Sequence, residues 1–289
     1  MPVINGRGRV GIRRPSAVSA LLLDTYSGAA VAYSLRKLSS AYSGSAIRVR
    51  RSSDNTEQNI GFNASGNLDT IALTSFVGAG NGFVTTWYDQ SGNGRNSVQS
   101  VAANQPLIVS AGVVSATGIR FDGSNDRLVS ASTFTLLRPA TAIGVLSNLS
   151  TGANYGPKPV YGFGGSTFIA LLAVSQYSNN TLTVSSSSGA GSNFEGSQIL
   201  PKAYTQGQFV LDSAIFTTTQ YTHSLNGNST SGNYTVTSYD ANNIYFSIGN
   251  YYFYGYAKFD IKEVVYFSGN KSSDLAAISS NINSKYSIY

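Results

Sequence analysis

From about residue 132 to residue 267 the chain is a succession of short β-prone segments separated by turn residues. Thr141–Leu146, Phe168–Val174, Thr181–Ser185, Phe209–Phe216, Gln220–Leu225, Tyr234–Ser238, Ile244–Ile248 and Ile261–Phe267 are examples. β-Branched and aromatic side chains of this kind favour a pleated, half-buried backbone. Strands that follow one another with no helix between them predict an antiparallel sandwich. Asn226-Gly227 reads as a hairpin turn. Upstream, Ile47 and Val49 alternate with Arg48 and Arg50, which suits a half-exposed strand. Phe83–Tyr88 is strongly β-prone and runs into the turn-rich Asp89-Gln90-Ser91-Gly92-Asn93-Gly94. Ile119–Leu128 reads as strand, Asp-Gly turn, strand.

Only two stretches suit helices. Residues 17–38 are divided by Gly28, which leaves a short helix expected around Ala29–Leu38. Ser272–Tyr286 places Leu275, Ile278 and Ile282 on one helical face, with Ser272 or Ser273 as cap. No repeat and no linker follows residue 20, so the expected organisation is an arm over 1–20 and a single domain over 21–289.

Charge is scarce at 11%, less than half the usual ~25%. Small neutral polar residues take its place: 44 Ser, 24 Asn and 22 Thr. The net charge of +6 is local. Residues 1–51 hold nine Lys/Arg and only Asp24, a net +8, whereas residues 52–289 carry −2. A uniformly basic nucleic-acid face is therefore not indicated. With no cysteine and one histidine, disulfides, thiolate sites and two-His zinc motifs are excluded. No apolar run approaches the ~18 residues of a membrane span, and no cofactor fingerprint is present. Asp122 with Asp126, and Asp89 with Asn93, offer oxygens suited to Ca²⁺, but Asp and Asn at such places ordinarily cap their own turns. No metal site is expected, and His223 alone does not make a Ser-His-Asp triad.

Residues 1–16, MPVINGRGRVGIRRPS, carry no helical period and bury little alone. They read either as a tether that orders on a partner, with Arg7, Arg9, Arg13 and Arg14 as anchoring residues, or as a frayed terminus. A secretory signal, with Arg13-Arg14 ahead of a short apolar run, is a third reading.

Two stretches resemble a known family. AYSLRKLSSAYSGSAIRVRRSSD (32–54) and FVTTWYDQSGNGRN (83–96) are similar to the catalytic domain of fungal-type α-L-arabinofuranosidase B. FSIGN (246–250) and the terminal FSGNKSSDLAAISSNINSKY echo that family's last strand and helix. RFDGSNDRL also resembles laminin-G-like members of the concanavalin A superfamily. The resemblance implies a concanavalin A-like antiparallel jelly roll. The same module, after a short basic N-terminus, resembles virion proteins of tailed phages.

A retaining glycosidase needs two carboxyl groups roughly 5–5.5 Å apart. The resemblance implies an acid/base Asp just after Ile-Gly-Gly, where this chain reads Ile248-Gly249-Asn250-Tyr251. The nearest acids are Asp240 and Asp260. The implied nucleophile falls in the loosely similar middle, where Glu195 is the only Glu, and the family's vicinal cysteine pair is absent. Losing general acid assistance alone costs ~10²–10⁴-fold, so the sequence predicts a non-catalytic protein with no catalytic residue.

Residues 245–256, YFSIGNYYFYGY, hold seven aromatics. As a strand, one face would fill a core, and the other would present flat rings for a sugar or a subunit interface. Tyr251, Tyr252 and Tyr254, with Trp87 and Asp89 beside the YDQSGNG loop, are the candidate glycan-binding residues. The leading expectation is a phage virion structural protein, located in the virion as a fibre or decoration. It would dock on other virion proteins through residues 1–16, form a homo-oligomer with a trimer favoured, and display a jelly roll able to bind glycans. It would bind neither nucleic acid nor membrane. The alternatives are an arabinofuranosidase-like hydrolase using Glu195 and a displaced Asp, and a secreted bacterial lectin.

Overall fold

A computed structural model describes residues 20–136, 138–148, 158–165, 169–176, 181–185, 202–233, 241–250 and 255–289. In chain order the elements are α1 (Leu22–Thr25), β1 (Ala29–Ser34), β2 (Ile47–Arg51), β3 (Glu57–Ile60), α2 (Thr70–Val77), β4 (Gly82–Trp87) and β5 (Ser97–Val98). After a 3₁₀ turn come β6 (Leu107–Ser110), β7 (Val113–Val114), β8 (Ile119–Asp122), β9 (Leu128–Ser130), β10 (Phe134–Leu136) and β11 (Ala140–Asn148). Then come β12 (Lys158–Gly165), β13 (Ile169–Gln176), β14 (Thr181–Ser185), β15 (Lys202–Ala203), β16 (Phe209–Phe216) and β17 (Gln220–Leu225). The chain closes with β18 (Asn228–Asn233), β19 (Ala241–Ile248), β20 (Lys258–Phe267) and α3 (Leu275–Tyr286).

The pairings are antiparallel and form two layers, as the all-β jelly-roll expectation requires. One layer runs β18-β17-β16-β11-β20, with β1 and then β8 sharing the far edge of β20. The other runs β3-β2-β4-β5-β9-β19-β12-β13-β14-β15. β6 pairs with both β4 and β8 and joins the layers at one edge. Aromatic rings fill the space between them. Tyr33 on β1 lies 5.8 Å from Trp87 on β4 and 5.8 Å from Phe246 on β19. Phe163 on β12 meets Tyr266 on β20 edge-on at 4.3 Å. A second apolar cluster covers the outer face of the first layer, where α1 and α3 bury Ala32, Val145, Val265, Ile278 and Ile282.

The helix expected around Ala29–Leu38 is corrected: Ala29–Ser34 is a strand paired with β20. Its Val31 and Tyr33 face the interior, while Ala32 lies under the outer helices. A strand covered on both faces loses its alternation and reads as an apolar run, which periodicity alone cannot separate from a helix. The terminal helix forms, but Asp274 occupies its N-cap without a side-chain bond, in place of Ser272 or Ser273. α2 has no sequence-based counterpart; Asp69 caps it by accepting from Ala72 N at 3.0 Å. Asn226 and Gly227, both at positive φ, close the β17–β18 hairpin. The Asp122-Gly123 turn carries the chain from β8 to β9, which pair with different strands. Residues 1–19, and with them Arg7, Arg9, Arg13 and Arg14, lie outside the described residues.

Candidate functional site

Strand β19 ends at Ile248, and the site is built around the two residues after it. Gly249 has φ +98° and donates its N–H to Val160 O at 2.9 Å. A Cβ there would sit 2.5 Å from the Asp126 carbonyl oxygen and 2.7 Å from the Phe121 ring. Glycine is therefore required on two counts, by its conformation and by the close approach of the 122–126 turn. The next residue, Asn250, is only 9% exposed, and its Oδ1 has no hydrogen-bond partner. A buried amide oxygen left unpaired is costly, so Asn250 offers an acceptor at the strand end.

The 122–126 turn organises itself through its acids. Asp122 Oδ1 accepts from Ser124 N at 2.7 Å, and Asp126 Oδ2 accepts from Asp122 N at 2.8 Å. Burial pushes the Asp126 carboxyl up to about 6; the bond from Asp122 N opposes this, and the Asp122 charge adds to it. A carboxyl in that range can hold a proton near neutral pH and give it up. Since its folded pKa lies above its ordinary value, the protonated form favours the fold. That contribution is present below 3.8 and lost as the pH rises through about 6. Urea midpoints measured over this window should decline with pH in the wild type, and Asp126→Asn should flatten the decline.

The YDQSGNG loop is a strap between β4 and β1. Asp89 accepts from Ala32 N, Ser91 N, Ser91 Oγ and Arg95 N, between 2.8 and 3.0 Å. Gln90 donates to Ser34 O and Arg36 O and accepts from Leu38 N. Asn93 donates to Ala29 O and Ala30 O. With its carboxylate so engaged, Asp89 is corrected from a sugar contact to a loop organiser. Trp87 is fully buried between the layers and presents no ring face for stacking. Tyr251, Tyr252 and Tyr254 lie outside the described residues, as do Glu195 and Asp240. Asp260 is consumed by a two-pronged pair with Arg120 at 2.9 and 3.1 Å. Among the described residues no three His, Asp or Glu side chains cluster as a metal site.

Two buried polar groups have no counterpart in the sequence reading. Tyr161 donates its hydroxyl to Asp212 Oδ2 at 2.7 Å across the interior, and His223 Nε2 lies 2.7 Å from Asp212 Oδ1. Gly144 makes room for the Tyr161 ring, which would lie 2.7 Å from a Cβ. The chain links β16, β17 and β12, and β12 pairs with β19 next to Gly249. It pins the strand that carries the site. Asp212→Ala would remove the buried carboxylate that both His223 and the Tyr161 hydroxyl meet in the core. The expected cost is about 3–5 kcal/mol, read as a lower urea midpoint at unchanged slope. The second group is Arg36, which donates to Glu263 from Nε at 2.7 Å and from Nη2 at 3.0 Å. Ser34 and Tyr286 also donate to Glu263. The signal for Asp212 was its position among the inward residues of FVLDSAIF, where a carboxylate needs a partner.

Comparison with known proteins bears on what this architecture does. Residues 24–120 match the sequence model of the α-L-arabinofuranosidase B catalytic domain. A mutant GH54 α-L-arabinofuranosidase soaked with 4-nitrophenyl α-L-arabinofuranoside superposes with TM-score 0.70 and 19% identity. A GH54 α-L-arabinofuranosidase soaked with a cyclic sulfate inhibitor gives 0.65 and 16%. An arabinofuranosidase complexed with arabinofuranosyl-α-1,2-xylobiose gives 0.58 and 18%. Each superposition covers 88% of this chain, which in turn spans 62% of the length of those enzymes. No curated protein matches by sequence. The sandwich is thus related to the arabinofuranosidase fold. The match to a catalytic-domain model and the superposition on arabinofuranosidases overturn the expectation of a non-catalytic phage virion component. They favour the hydrolase alternative instead.

Proposed function

We propose that this chain is a glycoside hydrolase that cleaves α-L-arabinofuranosides by a retaining mechanism. The match of residues 24–120 to the arabinofuranosidase B catalytic domain carries the reading, and the similar fold over most of the chain supports it. The chemistry requires a nucleophilic carboxylate and a carboxylic acid. Of the three glutamates, Glu57 is paired with Arg48 and Glu263 with Arg36, which leaves Glu195 as the nucleophile. Neither Asn250 nor Tyr251 can act as a carboxylic acid. Asp126, whose backbone abuts Gly249 and whose carboxyl is pushed up to about 6, is suited to protonate the leaving oxygen. In the first step Glu195 attacks the anomeric carbon, the glycosidic bond breaks, and Asp126 gives its proton to the departing oxygen. In the second, the Asp126 carboxylate takes a proton from water as that water displaces Glu195, restoring both groups.

The test is release of nitrophenolate from 4-nitrophenyl α-L-arabinofuranoside by the purified chain, alongside methyl α-L-arabinofuranoside and arabinosylated oligosaccharides. Saturable turnover with retention at the anomeric carbon is expected. Absence of turnover on all of these would sink the proposal.

A further inference from the structure

A groove of about 630 Å³ opens on the side of the sandwich where β1 stops and β8 begins along the same edge of β20. A bulge in β20 lies beside it. Ile261 pairs with Leu146 and Glu263 with Val145, so Lys262 is left over in the ladder. Bulges re-aim a side chain, and this one sends Lys262 into the groove lining. Its ammonium lies 4.0 Å from the centre of the Phe209 ring and 5.7 Å from that of Tyr286. Burial lowers its pKa, with the Asp260 charge opposing. Lys285, on α3, lines the same wall and donates to the neutral Asn67 amide. Arg36 lies beside them. It spends three N–H groups on Glu263 and Asn281, and a guanidinium has five.

The lining also holds exposed aliphatic side chains. Ile71 on α2 is 81% exposed, and Val113 on β7 is 70% exposed. Among the described residues no Asp or Glu lines the groove. The lining thus combines two lysines with two aliphatic side chains left in water. The volume falls in the range of about 300–1,000 Å³ usual for small-molecule sites.

We infer that this groove binds an amphiphilic organic carboxylate, with the carboxylate on Lys262 and Lys285 and the aliphatic body over Ile71 and Val113. The inference does not depend on the hydrolase reading, because the groove shares no residue with the Gly249–Asn250 strand end or the 122–126 turn.

Calorimetric titration of the full chain with non-micellar octanoate, octan-1-ol and octyltrimethylammonium separates the contributions. Octanoate should bind saturably, about tenfold or more tighter than octanol, more weakly as salt is raised, and the ammonium compound should not bind. Lys262→Met with Lys285→Met should bring octanoate down to the level of octanol. Ile71→Glu, at an exposed position that folding does not need, should abolish octanoate binding even where the double variant fails to fold. No saturable heat with octanoate, equal binding of all three probes, or unchanged octanoate binding in a folded variant would each overturn the assignment.

Discussion

Glu195→Gln is expected to reduce turnover of 4-nitrophenyl α-L-arabinofuranoside by on the order of 10⁴–10⁶-fold, the scale seen when an enzyme loses its nucleophile. The amide keeps the size and hydrogen-bonding reach of the carboxylate but cannot attack the anomeric carbon. Both a good and a poor leaving group should therefore suffer. The thermal unfolding midpoint is the control for folding. Wild-type turnover with little loss in Glu195→Gln would remove Glu195 from the mechanism. Azide sharpens the outcome in Glu195→Ala, where truncation leaves room for it. It can take the nucleophile's place from the same face, giving a glycosyl azide of inverted configuration and confirming which step was lost.

Asp126→Asn should cost ~10²–10⁴-fold on substrates with a sugar or alkyl leaving group. Such alkoxides leave poorly unless protonated. Nitrophenolate leaves without help, so the first step on the nitrophenyl substrate should be nearly spared while the second, which needs a base, slows. An initial burst of nitrophenolate followed by a slow phase is the expected trace. Azide should speed the slow phase and yield a product of retained configuration. Because Asn can still accept the Asp122 N–H through its amide oxygen, the turn should persist. Equal losses on both leaving groups would point to a structural role and exclude Asp126 as the acid.

How much of this was legible varies by element. Asn226-Gly227 announced its hairpin because the turn chemistry is local. The terminal helix was legible from Leu275, Ile278 and Ile282, since Ile278 and Ile282 meet a buried face at helical spacing. β1 was not legible, because burial under both the aromatic interior and the outer helices erased its alternation. Trp87 and Asp89 were placed beside the right loop but given the wrong work. Sequence adjacency puts an aromatic and an acid near one another, yet only the fold shows that the ring is interior and the carboxylate is saturated by four donors. The absence of a carboxylate after Gly249 was a correct reading of the residues. The conclusion drawn from it is overturned by the match of residues 24–120 to a catalytic-domain model.

By itself the sequence determined the class of fold, the scarcity of charge, the concentration of positive charge in residues 1–51, and the absence of thiol and zinc-finger chemistry. Each of these comes from composition or from nearest-neighbour pattern. Tertiary structure decided which of the described acids are paired. Asp212 and His223 lie 11 positions apart, Arg120 and Asp260 140, and Arg36 and Glu263 227. Asp126 meets Gly249 only because β8 and β19 belong to different layers joined by that turn. Pairing and burial set the protonation and availability of each carboxyl. Both are properties of contacts far apart in the chain, and no local window of sequence contains them.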